Sequence, residues 1–496
     1  MSYAALFEAV CPEFVLVLAG LIILAADVAI LKTHTEEVRR RSVVLLGLAS
    51  LVLSGLCVVM GPQAQRLANG ILAIDPLSQW IKGGLLGLSG FTLLLFLDAR
   101  FTRYVGEFAA LLLFATVGLM LLVSSEDFLL IFVALELTSL SLYTMVGFDR
   151  ASRASAEAAL KYFMFGGVSS ALLLFGLSFL YGATGQTGLR PIASVLTQVK
   201  IEPIVYLGLV LTLAGLGFKI AAAPFHFWAP DAYYGAPVPA AALIAASSKV
   251  GAFAVLAKIS LLAFAPLGLA GTSHAAMPAW AWLLAAVAAG SMIWGNLAAL
   301  VQRNLRRLLA FSAIGQSGYA LLGPLSGHEA GLSSMLFFVV VYATSLVGTF
   351  AIIGLQESRS GTLDLASLSG LGRRNPLLAF SLLVFMLSLA GIPPLGGFFG
   401  KFYIFLAALR SHPGNPLMVG LVALALAMTA VSLYYYLLVL KQVWVTEETP
   451  VQPSGDRPSP VICVAVVTLA LFVALTGLVP HVLLGPLHNV IARSGF

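Results

Sequence analysis

Apolar stretches long enough to cross a bilayer recur along almost the whole chain, joined by short polar connections. A helix needs about 20 such residues to span the hydrocarbon core. In lipid every backbone N–H and C=O must be satisfied inside the segment, so such stretches fold as helices. The pattern gives fourteen spans: 13–31, 42–60, 77–97, 107–124, 128–147, 160–181, 203–230, 240–263, 277–299, 305–323, 332–355, 377–409, 417–440 and 460–480. Composition agrees. Of 496 residues 60% are hydrophobic and 10% charged, against about 45–50% and about 25% in soluble chains. Mean hydropathy is +1.00. An all-α polytopic membrane protein is expected, and soluble enzymes, nucleic-acid binders and secreted disulfide scaffolds are excluded.

The net charge of +6 belongs to loops, not to a nucleic-acid partner. Lys32, Arg39, Arg40, Arg41, Arg100, Arg103, Arg150, Arg153, Arg303, Arg306, Arg307, Arg359, Arg373, Arg374, Lys441 and Arg457 fall on one side of the span map. Arg66, Arg190, Lys200, Arg410 and Arg493 fall on the other. The positive-inside rule puts the first set in the cytoplasm and both termini outside. Cys11, Cys57 and Cys463 are scattered, with no CxxC pair or His/Cys cluster, so no zinc, haem or iron–sulfur ligand set is expected in this chain. The polar connections 182–202, 356–376 and 441–459 are too short for a soluble domain.

Six basic residues remain inside spans, and all are lysines: Lys82, Lys161, Lys219, Lys249, Lys258 and Lys401. Glu136 is read as the one acid well inside a span. A charge at the bilayer centre costs about 2.5–3.5 kcal/mol on insertion scales, so such groups line polar pathways or pair. Lysine, unlike arginine, can release its proton when buried. A row of buried lysines with one carboxylate can therefore pass protons.

Two spans are interrupted. In 203–230 Pro224 follows Lys219, and in 377–409 Pro393, Pro394, Gly396 and Gly397 precede Lys401. Proline removes a backbone donor and clashes with the preceding turn. Broken helices in corresponding places of two halves point to a transport site. The expected organisation is 1–104 with spans 1–3, two inverted five-helix repeats at 105–265 and 277–443, each holding a broken helix, and 460–496 with the last span.

These residues resemble the antiporter-like membrane subunits of respiratory complex I (NADH–quinone oxidoreductase), and among them subunit N, the counterpart of mitochondrial NADH dehydrogenase subunit 2. The resemblance runs from about Glu107 to Lys441. It rests on LELTSLSLY around Glu136, EAALKYFMFGGVSSALLLFG around Lys161, GFKIAAAPFHFWAPDAYYGAP around Lys219, SSKVG at Lys249, NLRRLLAFSAIGQSGY from Asn304, and LSLAGIPPLGGFFGKFY past Lys401. DAYYGAPVP (Asp231–Pro239) favours subunit N over subunits L and M and the Mrp sodium–proton antiporters.

The resemblance implies a proton relay of Glu136, Lys219, Lys249 and Lys401, with Lys161 and His226 as further members. Glu136 would modulate Lys219, Lys249 would be the central relay, and Lys401 the exit-side lysine. Where many relatives carry histidine, this chain has Gln316, which cannot titrate. The resemblance further implies that NADH, FMN, iron–sulfur clusters and quinone belong to partner subunits, and no cofactor to this chain. Partners would be the antiporter-like subunit M and the small K/J-type subunits, in a bacterial inner membrane with periplasmic termini.

Other readings stay open for individual residues. Glu136 can be a structural ion-pair partner, Ser247 and Ser248 can merely solvate Lys249, and His226 can be a satisfied turn histidine. Snorkelling is an alternative for Lys161 and the favoured reading for Lys82 and Lys258, toward the outer ends of their spans. Tyr434, Tyr435 and Tyr436 read as helix packing and interface anchoring. An Mrp-type cation–proton antiporter, a membrane-bound hydrogenase subunit and a purely structural linker remain alternatives for the whole chain.

Overall fold

A computed structural model describes residues 3–62, 64–99, 101–198, 202–264, 279–360, 364–446 and 459–494. Arg100, Lys200 and Arg457, the repeat limits 265 and 277, and most of the 441–459 connection lie outside these residues. The helices are α1 (Tyr3–Ala29), α2 (Glu36–Met60), α3 (Pro76–Leu94), α4 (Val105–Ser124), α5 (Phe128–Val146), α6 (Arg153–Thr184), α7 (Leu189–Leu196), α8 (Pro203–Lys219), α9 (Ala229–Gly235), α10 (Val238–Ala245) and α11 (Ser247–Leu262). They continue as α12 (Ala279–Leu300), α13 (Leu305–Ala320), α14 (Leu322–Leu325), α15 (Glu329–Ser360), α16 (Leu371–Arg374), α17 (Pro376–Ala390), α18 (Gly396–Ser411), α19 (Pro416–Trp444), α20 (Pro460–Leu478) and α21 (His481–Arg493). Among the described residues, 11 helical stretches are long and apolar enough to cross a membrane, and α8 and α17 are shorter apolar helices. The chain is an all-α polytopic membrane protein. One small antiparallel hairpin, β1 (Gln65–Leu67) with β2 (Leu72–Ile74), interrupts the helices.

Local chemistry sets the helix ends. Asp75 caps α3, accepting the Ser78 N–H at 2.7 Å, while Ser78 Oγ accepts the Asp75 N–H at 3.0 Å and Pro76 opens the helix. That reciprocal box satisfies two otherwise orphaned donors. Asp127 caps α5, Asn304 caps α13 and Asn375 caps α17 with a side-chain oxygen alone, each accepting from main-chain N–H groups of the first turn.

The stretches 238–262 and 329–359 are buried over most of their length and form the centre. Around them, α1, α2, α6 and α19 turn broad apolar faces outward: Leu45, Val52, Phe163, Phe175, Leu426 and Tyr434 are all exposed. A bilayer solvates such faces.

Several expectations change. The run 240–263 is not one helix, because α10 stops at Ala245 and α11 starts at Ser247, around Ala246 with φ −110° and ψ −80°. The break at Ala246 lies three residues before Lys249, with neither proline nor glycine at it to announce it. The 182–202 connection contains α7, and a further helix, α21, follows the last expected span. Glu136 is not the only acid inside a helix, since Glu13 and Asp27 are buried in α1.

Candidate functional site

Lys82 and Lys258 do not snorkel. Lys82 is 2% exposed and pairs with Glu13 at 2.8 Å, joining α3 to α1. Lys258 is 1% exposed and pairs at 2.9 Å with Asp75, the cap of α3. An unpaired buried charge is costly, so a carboxylate has been brought to each.

Lys219, Lys249 and Lys401 are equally buried, yet none forms an ion pair with a carboxylate among the described residues. Each is held by hydroxyls, main-chain oxygens and ring faces, at or beside a helix break.

Lys401 shows why the break is needed. Gly391 ends α17 with φ +86°, a left-handed conformation that glycine adopts without strain. Its N–H turns back to Leu387 and Ser388, and the carbonyls of Leu389 and Ala390 point onward. Lys401, on α18, donates to both, at 3.0 and 3.3 Å. The ammonium thus sits on the negative C-terminal end of a half-helix, 4.9 Å from the centroid of Tyr319. Ring faces attract cations.

Lys219 is the last residue of α8 and donates to Ser139 Oγ on α5. It also faces the rings of Phe218 and Tyr143 at 5.3 and 5.9 Å. Glu136 is half-buried and accepts from Ser170 Oγ on α6. It makes no direct ion pair with Lys219 among the described residues. Ser139, three residues on and on the same face of α5, receives the lysine instead and itself donates to Leu135 O.

Lys249 lies in the first turn of α11 and donates to Ala313 O at 2.7 Å and Ser317 Oγ at 2.8 Å. Ser317, not Ser247 or Ser248, solvates it. Ser317 Oγ in turn donates at 2.6 Å to the carbonyl of Ile220, the residue after Lys219. The first helix break and the central lysine therefore share one hydroxyl.

Gln316 Nε2 donates to Leu389 O at 3.0 Å, the carbonyl that receives Lys401, and lies 3.3 Å from Tyr436 Oη. Two hydrogen-bonded groups result. One holds Lys219 with Ser139, and Ile220 O with Ser317 and Lys249; the other holds Gln316, Leu389 O and Lys401, with Gln316 next to Ser317 in the chain.

The structure does not join the other two expected members, Lys161 and His226, to either group. Lys161 is 40% exposed and pairs with Glu157 at 2.6 Å and Asp231 at 2.8 Å, and Arg307 binds the other oxygen of Asp231 at 2.8 Å. His226 is buried in the turn after α8, with its ring 4.6 Å from Phe227 and 5.8 Å from Trp294. Its Nδ1 has no hydrogen-bond partner among the described residues, so the turn does not satisfy it.

Sequence reasoning missed Ser139, Ser317 and two tyrosines. Tyr434 is exposed, as an interface anchor would be, but Tyr435 and Tyr436 are fully buried and polar in their contacts. Tyr435 donates to Asn296 Oδ1 at 3.0 Å, and Asn296 donates to Tyr319 Oη at 3.0 Å. Tyr436 is hydrogen-bonded to Ser312. The adjacent positions 434–436 point one ring outward and two inward, a division visible only once neighbours are in place. No three His, Cys, Asp or Glu side chains gather as metal ligands among the described residues.

The chain matches the profile of the family described as NADH:quinone oxidoreductase/Mrp antiporter, transmembrane, over residues 125–427. It is 44% identical to NADH-quinone oxidoreductase subunit N 2 of Acidobacterium capsulatum, over 99% of each chain. It is 38% identical to subunit N of Granulibacter bethesdensis over 95% of each. Among solved structures it is similar to a chain of respiratory complex I from Thermus thermophilus, with a TM-score of 0.77 and 34% identity, covering 95% of this chain and 98% of that one. On its matched motifs, its length-wide identity and its fold, the chain belongs to the subunit N family of NADH-quinone oxidoreductase, the antiporter-like membrane subunits of respiratory complex I.

Proposed function

We propose that this subunit translocates protons along the Glu136–Lys219–Lys249–Lys401 line, driven by NADH oxidation and quinone reduction in neighbouring subunits. One observation carries the reading. The buried lysines fall into two kinds: Lys82 and Lys258 are neutralised by carboxylates, whereas Lys219, Lys249 and Lys401 rest only on neutral donors and acceptors. The first kind cannot release a proton without stranding a buried carboxylate. The second kind can, and each sits at or beside a helix break, where a hydroxyl and ring faces at Lys219, and main-chain oxygens at Lys249 and Lys401, stabilise the loaded form.

Coupling would be electrostatic. Bringing or removing one charge about 4 Å from another is worth about 4 kcal/mol at an effective dielectric near 20. A charge change near half-buried Glu136 would bias Lys219 through Ser139, and Lys219 would bias Lys249 across the Ile220–Ser317 bridge. Lys161, with Asp231 and Glu157, would form a charged mouth on the basic, cytoplasmic side, and His226 would serve near the first break. NADH, FMN, iron–sulfur clusters and quinone would reside in partner subunits, with subunit M and the K/J-type subunits as membrane neighbours.

The same reading arranges the helices as fourteen crossings, with inverted repeats at 105–265 and 277–443, spans 1–3 within 1–104, the last span within 460–496, and both termini periplasmic in a bacterial inner membrane. The two breaks support it, since each follows a short apolar helix and each presents carbonyls to a polar side chain.

The test begins with mild extraction of the tagged chain and mass spectrometry of what comigrates on a native gel. Flavin and iron–sulfur subunits are expected with it. Migration with other antiporter subunits and no redox protein would instead assign the lysines to a cation–proton exchanger, assayed by sodium–proton exchange. Within an assembled complex, Lys219→Ala with Lys401→Ala should lower the proton-to-electron ratio, and an unchanged ratio would sink the relay.

A further inference from the structure

The connection between Lys249 and Lys401 runs past Gln316, and an amide is a poor proton carrier. Its nitrogen does not usefully gain or lose a proton near neutral pH, and its oxygen is a weak base. The orientation of this amide is fixed by its surroundings. Leu389 O can only accept, so the nitrogen must face it, at 3.0 Å. The amide oxygen is then buried, with no hydrogen-bond partner among the described residues. A buried polar atom left without a partner is unfavourable, which favours a visiting water or ammonium at that point.

Beside the amide stands a group that can do what it cannot. Tyr436, fully buried on α19, has its oxygen 3.3 Å from Gln316 Nε2 and hydrogen-bonded to Ser312 Oγ on α13. Because Nε2 can only donate, it holds one lone pair of the tyrosine, and in the Ser312–Tyr436 bond either hydroxyl can be the donor. Ser312 is the residue before Ala313, whose carbonyl receives Lys249 at 2.7 Å. A hydroxyl has one hydrogen to donate and lone pairs to accept with, so a proton can arrive on one side of the pair and another leave on the other.

We infer that Tyr436, oriented by Gln316 and paired with Ser312, supplies the protonic connection between Lys249 and Lys401 in this chain. The proposal rests on the translocation reading above and adds a residue to it. In each passage Lys249 releases a proton to a water or to Ser312. With Ser312 as the donor to Tyr436 and the phenolic hydrogen turned to a water held by the Gln316 oxygen, Ser312 takes up that proton and passes its own to Tyr436, Tyr436 passes its own to the water, and that water passes a proton to Lys401. One proton enters and one leaves, the hydroxyls end neutral, and rotation of the two O–H groups resets them. Gln316 is a positioning residue in this scheme, and neither of its groups carries the proton.

The experiment uses the whole complex in membrane vesicles. Tyr436→Phe removes one oxygen and keeps the ring. The expected result is normal assembly and NADH oxidation with a proton-to-electron ratio lowered to that of Lys401→Ala. Ser312→Ala, on the other helix, should lower the ratio in the same direction, which covers a Tyr436→Phe complex that fails to assemble. Adding Gln316→His to Tyr436→Phe should restore the ratio, because an imidazole at that place carries protons itself. A merely structural role for Tyr436 gives no such rescue, and its absence overturns the inference. A parental ratio in Tyr436→Phe beside a lowered one in Lys401→Ala overturns this inference alone, whereas parental ratios in both overturn the relay itself.

Discussion

Lys258 donates to Asp75 at 2.9 Å across 183 residues of sequence, and the same carboxylate caps α3 through the Ser78 N–H at 2.7 Å. Asp75 therefore fixes both the start of α3 and its seating against α11. Removing one partner of a buried pair leaves the other charged and alone, a loss of about 3–5 kcal/mol. Asp75→Asn keeps an oxygen for the cap but strands Lys258. Subunit stability in detergent, followed by thermal aggregation, should fall sharply in Asp75→Asn and recover in large part when Lys258→Met is added. Proton pumping by the double variant should remain near parental, since this pair lies outside the line proposed to carry protons.

Ser139 gives a second prediction, because it, and not Glu136, receives the hydrogen bond from Lys219. Ser139→Ala removes the hydroxyl that accepts from Lys219. Hydrogen bonds to charged groups contribute about 1.5–3 kcal/mol. The variant should assemble normally and pump at a rate between those of the parent and Lys219→Ala. Ser139→Thr retains the hydroxyl and should stay close to the parent. Initial rates of quinone-driven acidification in inverted vesicles distinguish these outcomes, and a pumping rate in Ser139→Ala equal to the parent's would show that the hydroxyl does not link the pair.

Lys161 should behave differently from the buried lysines. It is 40% exposed and shares Asp231 with Arg307. Exposed ion pairs contribute about 0–1 kcal/mol and are screened by salt. Lys161→Ala should cost less pumping than Lys219→Ala, and its deficit should shrink as ionic strength is raised. Turnover measured from low salt upward checks this, and a deficit as deep as that of Lys219→Ala at every salt concentration would place Lys161 within the buried relay.

The sequence made some of this arrangement legible and hid the rest for identifiable reasons. The two proline and glycine breaks, after Lys219 and before Lys401, are local signals, and the chain breaks where they stand. The break before Lys249 is silent, because Ala246 is an ordinary helix former and only tertiary packing sets its angles. The partners of Lys82 and Lys258 could not be found by spacing, since Glu13 and Asp75 come from other elements far along the chain. Glu13 lay at the very start of the expected first span, where a charge is ordinary, but α1 begins ten residues earlier and draws it inside. Tyr435 and Tyr436 were hidden in a run of three alike, of which only Tyr434 faces outward.

The last prediction concerns what holds the second break in place. Gly477, on α20, packs against the turn between α17 and α18, and a Cβ there would overlap the Pro394 carbonyl oxygen and the main chain of Leu395. Backbone cannot swing aside as a long side chain can, so Gly477→Ala must displace either α20 or the turn. Overpacking of this kind costs about 1–3 kcal/mol. The turn carries the Leu389 and Ala390 carbonyls at its near end and Lys401 a few residues beyond, so its displacement should lengthen the two bonds that hold the ammonium. Gly477→Ala should therefore lower pumping more than it lowers NADH oxidation, although residue 477 touches no charged group in the line. Gly485→Ala is the matched control: a Cβ there meets nothing within 4 Å, and both rates should stay parental. Equal pumping in the two variants would mean that α20 does not support the geometry at Lys401.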